Sequence, residues 1–223
     1  TEFEKILKDL GCTVTRNTEN YGGLQPRFVF RLNIENKTEE ELLRKLLIHN
    51  VEGAIILGCD PVRCEKLCKR TGKPMIFVDC GEGDYDNIGL RDREGAREIV
   101  SYLIKQGHRK IAFFCDQEIP IASNKARLIG YRDALKKYGI PYEEEDSYFL
   151  PQDNNLRYEV LRSFARHARE KGYTAAFFAA DLYANEAINV FFSKNLRVPE
   201  EMSVVGFDDN VYARLSRPTL TTV

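Results

Sequence analysis

Five short, uninterrupted apolar runs constrain the fold of this chain more than any other feature of its sequence. Uninterrupted runs are typical of parallel strands that are buried on both faces, whereas a strand with one face in water alternates apolar and polar residues. The sequence therefore predicts five strands of parallel sheet. They lie at residues 53–57, 74–78, 110–114, 174–180 and 203–207.

Amphipathic helices are predicted between these runs. In REGAREIVSYLIKQG the apolar residues recur on one helix face, Asp92 is placed to cap the start, and Gly107 is placed to end the helix in the left-handed conformation. Asp181 and Asn195 are predicted to begin and end a later helix. Strands that alternate with helices predict βαβ units and a doubly wound α/β fold, which binds ligands outside the carboxyl ends of its strands. Further helical patterns cover residues 2–10, 38–50 and 125–139.

The segment 16–37 has no clear pattern. Within it, FVFRLNI (28–34) is compatible with a strand, and the residues before it are typical of a loop.

The charge balance excludes a general attraction to nucleic acid or to membranes. The chain has 33 Lys and Arg against 34 Asp and Glu, a formal net charge of −1. Contact with DNA is therefore expected only through a part that this chain lacks. No apolar run approaches the roughly 20 residues of a transmembrane helix, and the first residues lack the pattern of a signal peptide.

The six cysteines indicate reduced thiols in a cytosol. Cys80 and Cys115 lie at the ends of apolar runs, where free cysteine packs as a small hydrophobe. Cys59, Cys64 and Cys68 form a C-x4-C-x3-C cluster, but no fourth ligand follows at a zinc or iron–sulfur spacing. We expect packing or idle thiols, and neither a metal nor a cofactor.

Polar side chains follow three of the predicted strands. Asp208 and Asp209 follow the fifth run, Asp181 follows the fourth, and Arg127 opens the helix after the third. Carboxylates accept hydroxyl protons and arginine donates to oxygens, so together they suit a polyhydroxylated ligand. Each residue also has a structural interpretation: Asp181 as a helix cap, Asp209 as a turn residue, and Arg127 as a surface arginine.

Several motifs make residues 51–223 resemble the effector-binding core of the lactose-repressor/galactose-repressor family. They are the Gly-His-Arg-Lys-Ile turn at 107–111, Arg-x-x-Gly-Tyr at 127–131, Val-Pro-x-x-x-Ser-Val-Val-Gly-Phe-Asp at 198–208, and Pro-x-Leu-Thr-Thr-Val at 218–223. Residues 1–50 resemble the family only loosely.

The resemblance implies an α/β fold of the periplasmic-binding-protein-like type I, with two Rossmann-like lobes of parallel sheet joined by three crossovers. Residues 1–107 and 219–223 are expected in the N-terminal lobe and residues 108–218 in the C-terminal lobe. A first strand, the elements after Val223 and the DNA-binding head of the family are missing from the sequence, so the chain is expected to be a fragment, incomplete at both ends.

The resemblance also implies ligand-binding residues. The family's sugar-binding arginine, nearby polar residue and cleft aspartate fall on Arg127, Ser123 and Asp208. Asp181 matches a fourth position, although Ala180 replaces the asparagine common before it. Tyr148 and Phe149 are candidates to stack on a sugar. Arg91 stands where the family often has an acid and would favour an anionic ligand if it faced the cleft; a solvated arginine is the alternative.

The function implied is that of a cytoplasmic effector domain that binds a small, sugar-like molecule between its lobes and alters the DNA affinity of an attached head. A homodimer is expected and catalysis is not, since the chain lacks the common catalytic motifs. Three alternatives stay open: an exported sugar-binding protein of a transporter, an enzyme on a doubly wound sheet, and the sensor of another signalling protein.

Overall fold

The structure, a computed structural model, describes residues 53–57, 61–80, 83–116 and 122–223, together with the backbone at 12–15 and 29–32. The chain divides into two compact units. One consists of residues 1–53 and 67–74, and the other of residues 54–66 and 75–223.

The described strands include all five that the apolar runs predict. In chain order they are β1 (Cys12–Thr15), β2 (Val29–Leu32), β3 (Ala54–Leu57), β4 (Met75–Val78), β5 (Asn87–Ile88), β6 (Ile111–Asp116), β7 (Ser147–Leu150), β8 (Ala175–Phe178) and β9 (Ser203–Val205).

The α-helices of the described residues alternate with these strands from β3 onward, except that β5 follows β4 directly. They are α1 (Pro61–Thr71), α2 (Asp92–Lys105), α3 (Ala122–Lys137), α4 (Asn154–His167), α5 (Asp181–Ser193) and α6 (Val211–Leu215). None of them is long and apolar enough to span a bilayer.

The strands form three sheets. β1 and β2 pair antiparallel, and β2 lies within the predicted segment 28–34. A parallel sheet has the order β3-β4-β5, and a second has the order β7-β6-β8-β9. The predicted α/β class with parallel sheets is confirmed. After β9 the chain returns beside the second sheet, where Thr221 forms a parallel bridge with Val205.

The second sheet is buried on both faces, as its apolar runs predict. Phe114 and Phe178 point to one face, where their rings stack with centroids 4.4 Å apart and pack with α4 and α5. Phe113 and Phe177 point to the other face and pack with α2 and α3. All four rings are fully buried. Burial of such a ring stabilises the fold by roughly 2–3 kcal/mol, so these two strands anchor the molecule.

For the first sheet the expectation of burial on both faces is wrong. Met75 and Phe77 of β4 are buried, but Ile76 between them is 42% exposed, and Ile55 of β3 is 70% exposed. The exposure therefore alternates along β4, as in a strand with one packed face among the described residues.

The helix ends confirm two predictions and correct two. Gly107 and Asn195 follow α2 and α5 with positive φ of 102° and 58°. Asp92 and Asp181 do not cap their helices, because each is the first helical residue and the N-cap positions belong to Arg91 and Ala180. The carboxylates of both aspartates instead bind partners elsewhere. The predicted helices at 2–10 and 38–50 lie outside the described residues.

The described cysteines, Cys68, Cys80 and Cys115, are all at least partly buried. Cys80 and Cys115 are buried, and burial raises the pKa of Cys115 to about 12, which keeps it protonated and apolar in character. Cys68 is partly buried on α1. Cys59 and the side chain of Cys64 lie outside the described part of the structure.

Candidate functional site

The site is assembled where α3 packs against α2. Gly130 faces the backbone of α2 so closely that a Cβ there would lie well within van der Waals distance of the Arg93 carbonyl oxygen and 2.8 Å from the Cβ of Ala96. Tyr131, the next residue, is fully buried and donates to the Ile111 carbonyl oxygen at 2.8 Å. The Gly-Tyr pair therefore fixes α3 against both α2 and β6.

This packing places Arg127 at the carboxyl ends of the strands. Arg127 is only 7% exposed. Its Nε donates to Asp92 Oδ1 at 2.7 Å, and one Nη donates to the Ala179 carbonyl oxygen beyond β8. Its other Nη lies 3.2 Å from Asp208 Oδ1, beyond β9. The guanidinium carbon lies 3.8 Å from the centroid of the Phe207 ring, at the distance of a cation–π contact. Arg127 thus joins a helix and two strand ends.

The Asp208 carboxylate is more accessible than that of Asp92. Its side chain is 34% exposed, and its backbone has φ of 105°. Its pKa is raised, chiefly because burial disfavours the charged form; Arg127 lowers it, and Asp181 and Asp92 raise it further. The carboxylate therefore carries a charge that its surroundings only partly stabilise.

Asp79 completes the group at the end of β4. It has φ of 54°, which few residues other than glycine, asparagine and aspartate adopt. Burial raises its pKa, and so does the carboxylate of Asp92, while Arg127 lowers it. Three carboxylates, Asp79, Asp92 and Asp208, therefore interact electrostatically with Arg127. We call these four residues the arginine cluster.

Asp181 is fully buried beneath the turn that follows β9. One of its carboxylate oxygens accepts from the backbone N–H of Asn210 at 2.9 Å, and the other accepts from the Thr222 hydroxyl at 2.7 Å. A Cβ at Gly206 would overlap Oδ1 of Asp181. Burial raises the pKa of Asp181, although these hydrogen bonds lower it. Both carboxylate oxygens are used within the protein, so Asp181 holds the turn that carries Asp208.

Ser123 lies in the first turn of α3, one turn before Arg127, and is buried. Its neighbour Asn124 donates through Nδ2 to Asp116 Oδ1. Four of the predicted site residues, Ser123, Arg127, Asp181 and Asp208, therefore lie on helix starts and strand ends at one edge of the second sheet.

Phe149 differs from the other four predicted residues. It is the third residue of β7, where it pairs with Cys115, and its ring is 49% exposed. Tyr148 faces the opposite side of the sheet, where it stacks on Phe114 with ring centroids 4.8 Å apart. Among the described residues, no hydrogen bond, ion pair or ring contact joins Phe149 to the other four.

Asp116 is a polar residue at this edge that the sequence analysis did not single out. It ends β6, and its second carboxylate oxygen accepts from the Tyr183 hydroxyl at 3.3 Å. Burial, with the charge of Asp116, raises the pKa of Tyr183 to about 12. The position of Asp116 directly after an apolar run is the signal that could have identified it, just as it identified Asp208.

Arg157 is a second residue near this edge that the sequence did not identify. It is 6% exposed and makes a bidentate pair with Glu186 at 2.6 and 3.0 Å. It also donates to the carbonyl oxygens of Pro151 and Gln152, which form the loop after β7. Arg157 therefore ties that loop to α5 and orders the edge of the sheet. No sequence pattern distinguishes it from a surface arginine on an amphipathic helix.

Among the described residues, no group of three His, Cys, Asp or Glu side chains is arranged to hold a metal ion.

Comparison with known proteins agrees with this geometry. A model of the periplasmic binding protein-like domain matches residues 100–223, more than half of the chain. The transcriptional regulator GalR of Escherichia coli K12 is 35% identical over 151 residues, which are 67% of this chain and 43% of GalR. The regulator CelR of Thermobifida fusca is 34% identical over 211 residues, which are 88% of this chain and 58% of CelR. The chain thus spans about half the length of these relatives.

Solved structures show the same fold. A complex of the regulator CelR with cellobiose has a TM-score of 0.68 and 26% identity, covering 82% of this chain and 57% of that one. A sugar-binding regulator of the LacI family from Escherichia coli, complexed with phosphate, has a TM-score of 0.71 and 22% identity, covering 82% and 66%. The resemblance seen in the sequence is confirmed: the chain belongs to the periplasmic-binding-protein-like domains of the lactose-repressor/galactose-repressor type.

Proposed function

We propose that this chain is the effector-binding domain of a bacterial transcription regulator and that it binds a small, sugar-like molecule at the edge formed by the arginine cluster. The observation that carries the proposal is the position of Arg127, a buried guanidinium held at the carboxyl ends of parallel strands, where ligands of such folds bind. Support also comes from the related CelR, which was solved with cellobiose.

Arg127 and Asp208 are the proposed principal ligand contacts. Within the described residues, three of the five N–H groups of Arg127 have protein partners, so two are free to donate to ligand oxygens. Asp208 is partly exposed and can accept two hydroxyl protons. Ser123 and Phe149 remain proposed as flanking contacts, and Asp181 is proposed to act by supporting the turn that carries Asp208.

Regulation follows if the ligand binds one arrangement of the domain better than another, because it then shifts the population towards that arrangement and changes the DNA affinity of an attached head. We place residues 1–107 and 219–223 in one lobe and residues 108–218 in the other.

A cytoplasmic homodimer without catalytic activity completes the proposal. The relatives are transcription regulators, which act where the DNA is, and regulation of this kind needs no chemical step. Large apolar side chains on the outer faces of α5 and α6 support self-association: Phe192 is 82%, Leu215 66% and Val211 59% exposed.

The experiment that tests this function is a thermal-shift screen of the full-length regulator against mono- and disaccharides, with wild type, Arg127→Ala and Asp208→Asn. A ligand at a hundred times its dissociation constant stabilises the protein by about 2.7 kcal/mol. We expect stabilisation of wild type and its loss in both variants. The matched control is Asp209→Asn, since Asp209 is the next residue but its side chain is 63% exposed and pairs at the surface with Arg214. Equal stabilisation of all four proteins would place the ligand elsewhere.

A further inference from the structure

We infer that Arg157 is a positioning residue of the proposed site: it holds the loop at residues 151–154, which follows β7, in the geometry that receives a ligand before the ligand arrives. The inference rests on the proposed function, because it concerns the same edge of the second sheet. It is carried by the hydrogen bonds that Arg157 makes and by the contacts that connect it to the start of α3.

Every N–H group of the Arg157 guanidinium has a partner within the protein. Nε and one Nη donate to the two carboxylate oxygens of Glu186 on α5, at 2.6 and 3.0 Å, and the same Nη donates to Oδ1 of Asn154. The other Nη donates to the carbonyl oxygens of Pro151 and Gln152 at 3.1 and 2.8 Å. These bonds use all five N–H groups, so Arg157 acts on binding through the loop and not by touching the ligand.

The loop at residues 151–154 depends on these bonds. Gln152, Asp153 and Asn154 are exposed, and Pro151 is half-buried. A segment with few buried apolar contacts opens easily unless hydrogen bonds hold it. A charged donor gives hydrogen bonds that are roughly twice as strong as neutral ones, and Arg157 makes two of them to the loop backbone.

The loop lies beside the proposed ligand contacts. β7 pairs in parallel with β6, and Leu150 at the end of β7 is opposite Asp116 at the end of β6, so both chains leave the sheet at its carboxyl edge. Asp116 accepts from Asn124 in the first turn of α3, the helix that carries Arg127. The loop is therefore one strand away from the start of α3.

Tyr183 on α5 connects these two parts of the edge. Its hydroxyl donates to Asp116 at 3.3 Å, and its ring centroid lies 5.6 Å from the guanidinium carbon of Arg157, within the range of a cation–π contact. Burial is the main cause of the raised pKa of Tyr183; the charge of Asp116 raises it further and that of Arg157 lowers it. The start of α3, the end of β6, α5 and the loop are thus joined by one continuous series of contacts.

The geometry of the loop in the free protein affects affinity. A site that adopts its binding geometry for only a fraction of the time binds more weakly by that fraction. A loop that kept this geometry about one-tenth of the time without Arg157 would raise the dissociation constant about ten-fold.

The test removes the ion pair without leaving a buried charge. Arg157→Met alone would leave Glu186 unpaired, which destabilises a fold whatever the function of the pair. Arg157→Met combined with Glu186→Met removes both charges, and such replacements are often neutral for stability. The matched control is Arg162→Met with Glu159→Met, which removes a surface ion pair at 2.7 Å on α4.

Two measurements are made on the full-length regulator. Hydrogen exchange follows residues 151–156 in the absence of ligand, and calorimetry measures the affinity for glucose, galactose, mannose and cellobiose. In the variant at 157 and 186 we expect exchange about ten-fold faster and an affinity about ten-fold lower for the saccharide that wild type binds, with stability close to that of wild type. The control should change neither.

Arg157→Lys is a second variant, which keeps the charge beside Glu186 and so does not depend on the double replacement folding. Lysine lacks the planar fork that reaches Glu186 and the two loop carbonyl groups together. We expect exchange and affinity to change in the same directions as in the double variant, by smaller factors.

The outcomes separate the inference from the function on which it rests. Unchanged exchange of residues 151–156 in both variants overturns the inference, because the loop then keeps its place without Arg157. Faster exchange with unchanged affinity also overturns it, because the loop then takes no part in binding. If wild type binds none of the saccharides, the proposed function loses its support, whereas faster exchange in the variants still supports the ordering of the loop by Arg157.

Discussion

At the scale of single residues, carboxylates in this domain have functions that their positions along the chain do not reveal. Asp92 and Asp181 both lie where a helix begins, and the sequence predicts that each caps its helix. The structure instead pairs Asp92 with Arg127 and buries Asp181 under the turn after β9. The cause is close packing: Gly130 brings α3 to α2, and Gly206 leaves space for the Asp181 carboxylate.

Replacement of Asp79 by asparagine is expected to stabilise the domain at neutral pH. The pKa of Asp79 is raised by burial and by Asp92, so the folded state binds the proton more tightly than the unfolded state does. Ionised Asp79 therefore destabilises the fold above its folded-state pKa, and this penalty disappears as the pH falls below the unfolded value of 3.8.

Urea unfolding of wild type and Asp79→Asn at neutral and at acidic pH measures this effect. We expect the variant to be more stable at pH 7 by up to about 1 kcal/mol and the advantage to shrink as the pH is lowered. An advantage that is independent of pH would show that the ionised carboxylate is not its source.

Substitution of Gly206 by alanine is expected to destabilise the domain by about 2 kcal/mol or more, because the new Cβ would overlap the Asp181 carboxylate. The control is Gly172→Ala. Gly172 has φ of 75° but no atom within 4 Å of the added Cβ, so only the backbone penalty of about 1 kcal/mol applies. Chemical denaturation measures the free energy of unfolding of the two variants. Equal losses of stability would show that the turn after β9 accommodates the added Cβ at no extra cost.

At the scale of elements, the contact between α2 and α3 determines where Arg127 lies. Gly130→Val is expected to force the two helices apart and to cost about 1–3 kcal/mol, the usual effect of overpacking. Because Arg127 is one turn away on the same helix, the affinity for the ligand should also fall.

Calorimetry and denaturation on Gly130→Val test both consequences. Lys136→Ala, an exposed position on the same helix, is the control and should change stability by less than about 0.5 kcal/mol. A variant that keeps full ligand affinity would separate helix packing from the position of Arg127.

The elements also show which features a sequence can predict. β6 and β8 were predictable because both faces of each strand are buried, which produces an uninterrupted apolar run. β7 lies at the edge of its sheet and is only partly buried, so it leaves no such run. Arg127 and Asp208 were identifiable because they follow strands in the sequence. The pair between Asp92 and Arg127 was not, because it depends on how α2 packs against α3, and no local sequence pattern gives that packing.

At the scale of the whole molecule, the proposed homodimer gives a further test. Phe192 is 82% exposed at the end of α5. Phe192→Glu is expected to shift the full-length regulator from dimer to monomer in sedimentation experiments, because a charge replaces an apolar contact in the proposed interface. Leu156→Glu, on α4 and 58% exposed, is the control and should leave the dimer unchanged. A dimer that survives Phe192→Glu would exclude α5 from the interface.

The bond between Thr222 and Asp181 has a consequence for redesign of this domain. Asp181 simultaneously holds the loop after β9 through Asn210 and the returning chain through Thr222, and Gly206 leaves it room. Asp181, Gly206, Asn210 and Thr222 therefore depend on one another, so a substitution at one of these positions would require changes at the others. A library for new ligand specificity should therefore keep Asp181, Gly206, Asn210 and Thr222 constant, and at Asp79 and Asp208 it should use residues that tolerate a positive φ, such as asparagine and glycine.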